Sequence, residues 1–175
     1  MKSYTLYMAV ALTLLPTAGR AKSIEWYRGG HITYDVQKKH DAVVEKAIAL
    51  FDSDMQAVTG KNIRQGGNAD VEIFQLNMAS NKDLRTLESL KVPFMKFITK
   101  KDAFWLGIRD GKMIVVGADG CGTAYGLLEL SRMAGVSPWV WWGDVRPAKR
   151  SRLTIDDKFE VTRAPSVALR GINLE

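Results

Sequence analysis

The sequence predicts an α/β (α+β) fold, a mixed sheet with helices packed on it. Three patterns carry this. Two apolar, β-prone runs at 103–109 and 112–116 flank Asp110-Gly111, the dipeptide that best tolerates both positive-φ positions of a type I′ hairpin turn. From Asp41 onward, Val44, Ala47, Ile48, Phe51, Met55 and Val58 recur on one face at helical spacing. The second hairpin strand then runs into Gly117-Ala118-Asp119-Gly120-Cys121-Gly122, followed by a helix over 123–134.

Taken in order, 24–27 is a short strand candidate, Arg28-Gly29-Gly30 a turn, and 31–35 a second strand rich in β-branched and aromatic residues. The amphipathic helix follows. Asp41 can cap its start and Gly60 suits its C-terminal end. Residues 71–76 form a strand between turn residues, and 80–90 a helix with Leu84, Leu87 and Leu90 on one side. The helix over 123–134 is apolar on nearly every side (Tyr125, Leu127, Leu128, Leu130, Met133), which predicts deep burial, and Gly135 ends it.

Ahead of these elements, Lys2, an apolar run to Leu15 and the small residues before Ala21 have the order of an export signal. The expected division is therefore a signal peptide at 1–21 and an α/β domain at 22–163, with a secreted or periplasmic mature protein that has no membrane span. An exported chain with a single thiol requires Cys121 to be buried. A length of 175 residues fits one domain with its own core. One cysteine and two histidines exclude a cysteine-cluster metal site, and no cofactor or metal is expected. The formal charge of +6 is dispersed, which argues against a nucleic-acid partner.

Gly117, Gly120, Gly122 and Gly126 stand where a phosphate-binding loop could, but no Gly-Lys-Ser/Thr ending follows, and the strand is the second arm of a hairpin. Close helix–sheet packing and positive-φ turn positions explain them better, with Asp119 as the cap of the next helix. The loop Pro138-Trp139-Val140-Trp141-Trp142-Gly143-Asp144 is chemically richer. At least two of its indoles are expected to seal the helix against the sheet. In an extended stretch Trp139 and Trp141 would face one way and Val140 and Trp142 the other, so at least one ring points outward. An exposed indole beside Asp144 is the pairing that stacks on a sugar ring and bonds its hydroxyls.

The run 116–126, then Gly135-Val136-Ser137-Pro138-Trp139, Trp141-Trp142-Gly143-Asp144-Val145 and 164–173 resembles the N-terminal region of family 115 glycoside hydrolases, the xylan α-glucuronidases. Ala118, Gly120-Cys121 and Gly143 depart from the family pattern, and Gly120-Cys121 removes positive charge that could meet an acidic sugar. The resemblance implies a domain like those preceding the barrels of β-hexosaminidases and α-glucuronidases. It also implies a (β/α)8 catalytic domain as partner, with 164–175 as the start of its first strand. A barrel needs about 250 residues, and glycoside hydrolysis needs two carboxylates across a sugar ring. No catalytic residue is expected here, since Asp102, Asp119, Asp144, Asp156 and Asp157 show no pairing. The expected role is an accessory domain, inactive alone, of an enzyme acting on glucuronic acid side chains of xylan. Alternatives are a stand-alone carbohydrate-binding module using the tryptophan loop on a xylan-type polysaccharide, or an independent hydrolase.

Overall fold

The computed structural model describes residues 22–167. The expected export signal and the segment 168–175 lie outside the described residues. Eleven regular elements follow one another: β1 (Ser23–Tyr27), β2 (Thr33–Val36), α1 (Ala42–Thr59), β3 (Arg64–Gln65), β4 (Val71–Gln75), α2 (Asn81–Ser89), β5 (Phe104–Arg109), β6 (Lys112–Gly117), α3 (Gly120–Ala134), β7 (Leu153–Asp156) and β8 (Glu160–Arg163). Short 3-10 turns occupy Leu76–Met78, Phe94–Lys96 and Pro138–Trp141.

The main sheet has the strand order β3-β2-β4-β6-β5-β8. Strands β3, β2, β4 and β6 run parallel, while β5 is antiparallel to both its neighbours, β6 and β8. The sheet is mixed, as expected. Asp110 (φ 51°) and Gly111 (φ 77°) make the hairpin turn with both central residues at positive φ. β1 and β7 form a separate antiparallel pair that closes one end of the core with Trp26, Tyr27 and Leu153.

Both faces of the sheet are covered, so its central strands are apolar on both sides. Period-two alternation divides them. Val71, Ile73, Leu106, Ile108, Met113 and Val115 pack against α1 and α3, whereas Phe74, Trp105, Ile114 and Val116 pack against Leu87 of α2 and the turn holding Phe94 and Phe97. A fully buried side chain of this kind contributes about 1.5–3 kcal/mol.

The helix ends hold one surprise. Gly60 (φ 79°) terminates α1 in the left-handed region, and Gly135 (φ 104°) does the same for α3. Ser80 and Asp83 build a reciprocal capping box on α2. Asp41 stands at the N-cap of α1 as expected, but its side chain makes no cap hydrogen bond; it accepts a hydrogen bond from Gln75 Nε2 at 2.6 Å instead. The expectation that α3 is buried all round is also corrected. Its buried residues form the stripe Thr123, Ala124, Leu127, Leu130, Ser131 and Ala134, with Tyr125 and Leu128 exposed. The helix is amphipathic, and its outer face sets the apolar Tyr125 and Leu128 beside Glu129 and Arg132.

Candidate functional site: glycine turn, tryptophan loop and sheet edge

The glycine turn is a packing device. A Cβ at Gly117 would fall 2.1 Å from Thr123 N, at Gly120 2.6 Å from Val43 Cγ1, and at Gly122 2.2 Å from the Ala103 carbonyl oxygen. None of these residues has positive φ. Close approach therefore accounts for them, and the turn-conformation half of the expectation falls away. Asp119 caps α3 as expected: one carboxylate oxygen accepts from Gly122 N and the other from Asp102 N, both at 2.8 Å. A carboxylate holding two amides is a structural clamp. Cys121 is exposed, against the expectation that it is buried. Partial burial, then the nearby Asp102 and Asp119, push its thiol above the usual range, so it is a protonated thiol at neutral pH.

The tryptophan loop is not extended. Pro138–Trp141 forms a 3-10 turn, started by Ser137 Oγ accepting from Trp139 N at 3.2 Å. The alternation argument thus does not apply, because a 3-10 turn brings residues three apart onto one side. Trp139 is 66% exposed and Trp142 74%. The expectation that at least two of the three rings are sealed in the core is overturned; the side chain of Trp141 lies outside the described set. Gly143 N returns to the Trp139 carbonyl at 2.8 Å, and Asp144 follows at φ 49°, exposed and with no hydrogen bond to other described residues.

Beside this loop runs a groove of about 800 Å³ between the outer face of α3, the 3-10 turn and the chain leaving β8. Tyr125, Leu128, Pro138 and Val140 line its apolar side, and Trp139 stands exposed between the last two. Its polar side was not anticipated. Glu129 receives Arg132 through two hydrogen bonds of 2.8 Å and Arg163 at 3.3 Å. The Arg132 hydrogen bond chiefly holds the Glu129 carboxyl below its ordinary pKa. Burial pushes the half-buried Asp54 the other way, above the usual carboxylate range, against a smaller opposing effect of the Ser131 hydroxyl. The Ser131 hydroxyl is buried and close to Asp54, but meets no described residue in full hydrogen-bond geometry. Divergent carboxyls in one groove are what an acid–base pair would require. Glu129, however, is occupied by two guanidinium groups and offers little as a base. The Glu129–Arg132 pairing was legible as an i, i+3 contact on a helix; Arg163 and Asp54 meet them only through the tertiary fold.

A second cluster sits where β2 and β4 end. His40 Nδ1 lies 2.7 Å from the Gln37 carbonyl, and Nε2 contacts Glu45 Oε1. Both partners are acceptors, an arrangement that favours the doubly protonated ring, in which both nitrogens donate. Burial opposes that charge, but the hydrogen bonds to Glu45 and Gln37, with the nearby Asp41, outweigh it and raise the His40 pKa. The linkage has one sign. A folded pKa above the unfolded value gives stability that is complete below about 6.5 and lost as pH rises through the folded value. Urea midpoints should therefore fall between pH 6 and pH 9, and His40→Gln should flatten the fall. An unchanged slope in that variant would remove the assignment.

No protein-family model and no curated protein sequence matches the chain. Among solved structures, a family GH115 4-O-methyl-alpha-glucuronidase with specificity for decorated arabinogalactans superposes with a TM-score of 0.71 and 29% identity, covering 82% of this chain and 19% of that one. Streptomyces plicatus N-acetyl-beta-hexosaminidase, solved in complex with Thio-NAglucal, gives a TM-score of 0.53 at 10% identity, covering 85% of this chain and 24% of that one. The latter likeness shows the fold alone. The glucuronidase likeness supports a glycoside hydrolase-related α/β domain, and the chain spans about a fifth of that glucuronidase's length.

Proposed function

We propose that this chain is the exported N-terminal accessory domain of a glycoside hydrolase that removes glucuronic acid from decorated plant polysaccharide, and that it does not catalyse that reaction alone. The observation that carries the reading is 29% identity over 82% of the chain to a region making up 19% of a family GH115 glucuronidase. The solvent-facing Trp139 and Trp142, with the groove running to Arg163 and Pro165, form an apolar face suited to a (β/α)8 neighbour. The acids also fit a structural role: Asp119 clamps two amides, Asp156 accepts from Lys158 N, and Glu129 is held by arginines.

The same exposed indoles favour a second reading, a carbohydrate-binding module acting on xylan-type polysaccharide. Titration with xylo-oligosaccharides and with glucuronidated arabinogalactan fragments, followed by tryptophan fluorescence, separates the two. Docking predicts no saturable change at millimolar sugar. A saturable change that disappears in Trp139→Ala/Trp142→Ala would instead establish the binding module. Incubation with decorated xylan should release no glucuronic acid above buffer. Turnover abolished by Asp54→Asn would move catalysis into the groove and end the accessory-domain reading.

A further inference from the structure

The connections of β2 and β4 leave the sheet in opposite directions. β2 passes through α1 to β3 on one side, while β4 passes through α2 toward β5 and β6 on the other. The two helices also lie on opposite faces, α1 in one core and α2 in the other. In an open α/β sheet such a reversal opens a crevice at the carboxyl ends of the two strands, and ligands bind there. A pocket of about 460 Å³ occupies this position, lined by Lys38, Lys39 and His40 after β2 and by Asn77, Met78 and Ala79 after β4.

The hydrogen-bonding character of the pocket is one-sided. Gln37 Nε2 donates to the carbonyls of Lys39 and Gln75, and His40 Nδ1 takes the Gln37 carbonyl. Gln75 Nε2 takes Asn77 Oδ1 at 2.6 Å and also Asp41. The Gln37, Lys39 and Gln75 carbonyls, Asn77 Oδ1 and one Asp41 oxygen are thus satisfied from within. The donors are not: Lys38 and Lys39 are exposed and make no side-chain ion pair with described residues, and the Asn77 amide nitrogen remains to give hydrogen bonds. Glu45, the acid in contact with His40, is engaged by its Nε2. A pocket that offers cations and donors takes a ligand rich in acceptors.

We propose that this crevice binds a small oxyanion, a sugar carboxylate or a phosphate, through Lys38, Lys39 and Asn77. The inference stands on topology and donor chemistry and does not depend on the accessory-domain reading. Amide shifts of the chain would be followed during titration with sodium glucuronate, inorganic phosphate or glucose at matched ionic strength. Glucuronate, phosphate or both should shift residues 38–40 and 77–79 saturably, with a Kd of about 1 mM and roughly tenfold weakening in Lys38→Ala/Lys39→Ala. Glucose should shift none of them. Saturation by glucuronate alone assigns the ligand as an acidic sugar, and saturation by phosphate assigns a phosphate source. The arginine pair Lys38→Arg/Lys39→Arg should retain binding, which separates loss of charge from loss of fold. Absence of saturation by both anions to roughly 50 mM, or affinity unchanged in the double alanine variant, overturns the site. The shifts report on residues remote from Trp139 and Trp142, so failure here and failure of the sugar-stacking test are read independently.

Discussion

Gly122→Ala is expected to destabilise the domain by about 3 kcal/mol, because it forces a methyl group into backbone that cannot yield. The added Cβ would lie 2.2 Å from the carbonyl oxygen of Ala103 and 3.0 Å from its carbon. That carbonyl already accepts from Ala118 N at 2.9 Å, and Ala103 is fully buried. The helix cannot withdraw freely either, since Asp119 ties Gly122 N and Asp102 N to the same carboxylate. Replacing glycine inside a helix normally gains about 1 kcal/mol of propensity, so the clash has to exceed that before any loss appears. Gly126 is the internal control. Its nearest obstacle is a side-chain methyl, Val115 Cγ1 at 2.7 Å, which can shift. Gly126→Ala should therefore cost about 1 kcal/mol, visible as a smaller fall in urea midpoint at unchanged slope. Equal losses in the two variants would remove the close-packing account of the turn.

The same residues show what was legible beforehand. Asp110-Gly111 between two β-prone runs specified the hairpin because turn chemistry is local, and the spacing of Val44 through Val58 specified α1 because one helix face must be apolar. The glycine run was legible as a packing feature, but not which atoms would meet it. Strands β7 and β8 escaped notice because Leu153–Asp156 and Glu160–Arg163 are short, charged and half exposed. They become strands only by pairing with β1 and β5. The tryptophan loop misled for a related reason. Hydrophobicity argues for burial, yet Pro138 and Ser137 set a 3-10 turn that turns Trp139 and Trp142 outward. Composition could identify indoles as costly in water, but not what they face. The His40–Glu45 contact and the groove joining Asp54, Glu129 and Arg163 depend on elements far apart in the chain, which periodicity does not register.

Trp105→Ala should have the largest effect of all, a loss of about 3–5 kcal/mol in unfolding free energy. The ring is 1% exposed, in the layer between the sheet and α2, with Phe97, Leu87, Ile114 and Val116. Its seat is specific. Gly107, two residues along the same strand face, leaves room for it, since a Cβ there would be 2.5 Å from Trp105 Cζ2. Arg109 Cζ lies 4.8 Å from the ring centroid on the next same-face position and is held by Glu160 at 2.5 Å. Gly107→Ala should therefore cost about 1–3 kcal/mol in the native background and much less once Trp105 is alanine. Additive losses would mean that Gly107 does not serve the indole. Trp105→Phe keeps most of the buried area and should stay folded, and it also sharpens the functional experiment. Trp105 is shielded from solvent, whereas Trp139 and Trp142 meet it directly. Removing this emitter leaves Trp26 as the remaining buried tryptophan among the described residues and gives the loop tryptophans a larger share of the fluorescence. A sugar that stacks on them must then produce a proportionally larger change in the variant than in the parent, while quenching that reaches only the core would shrink.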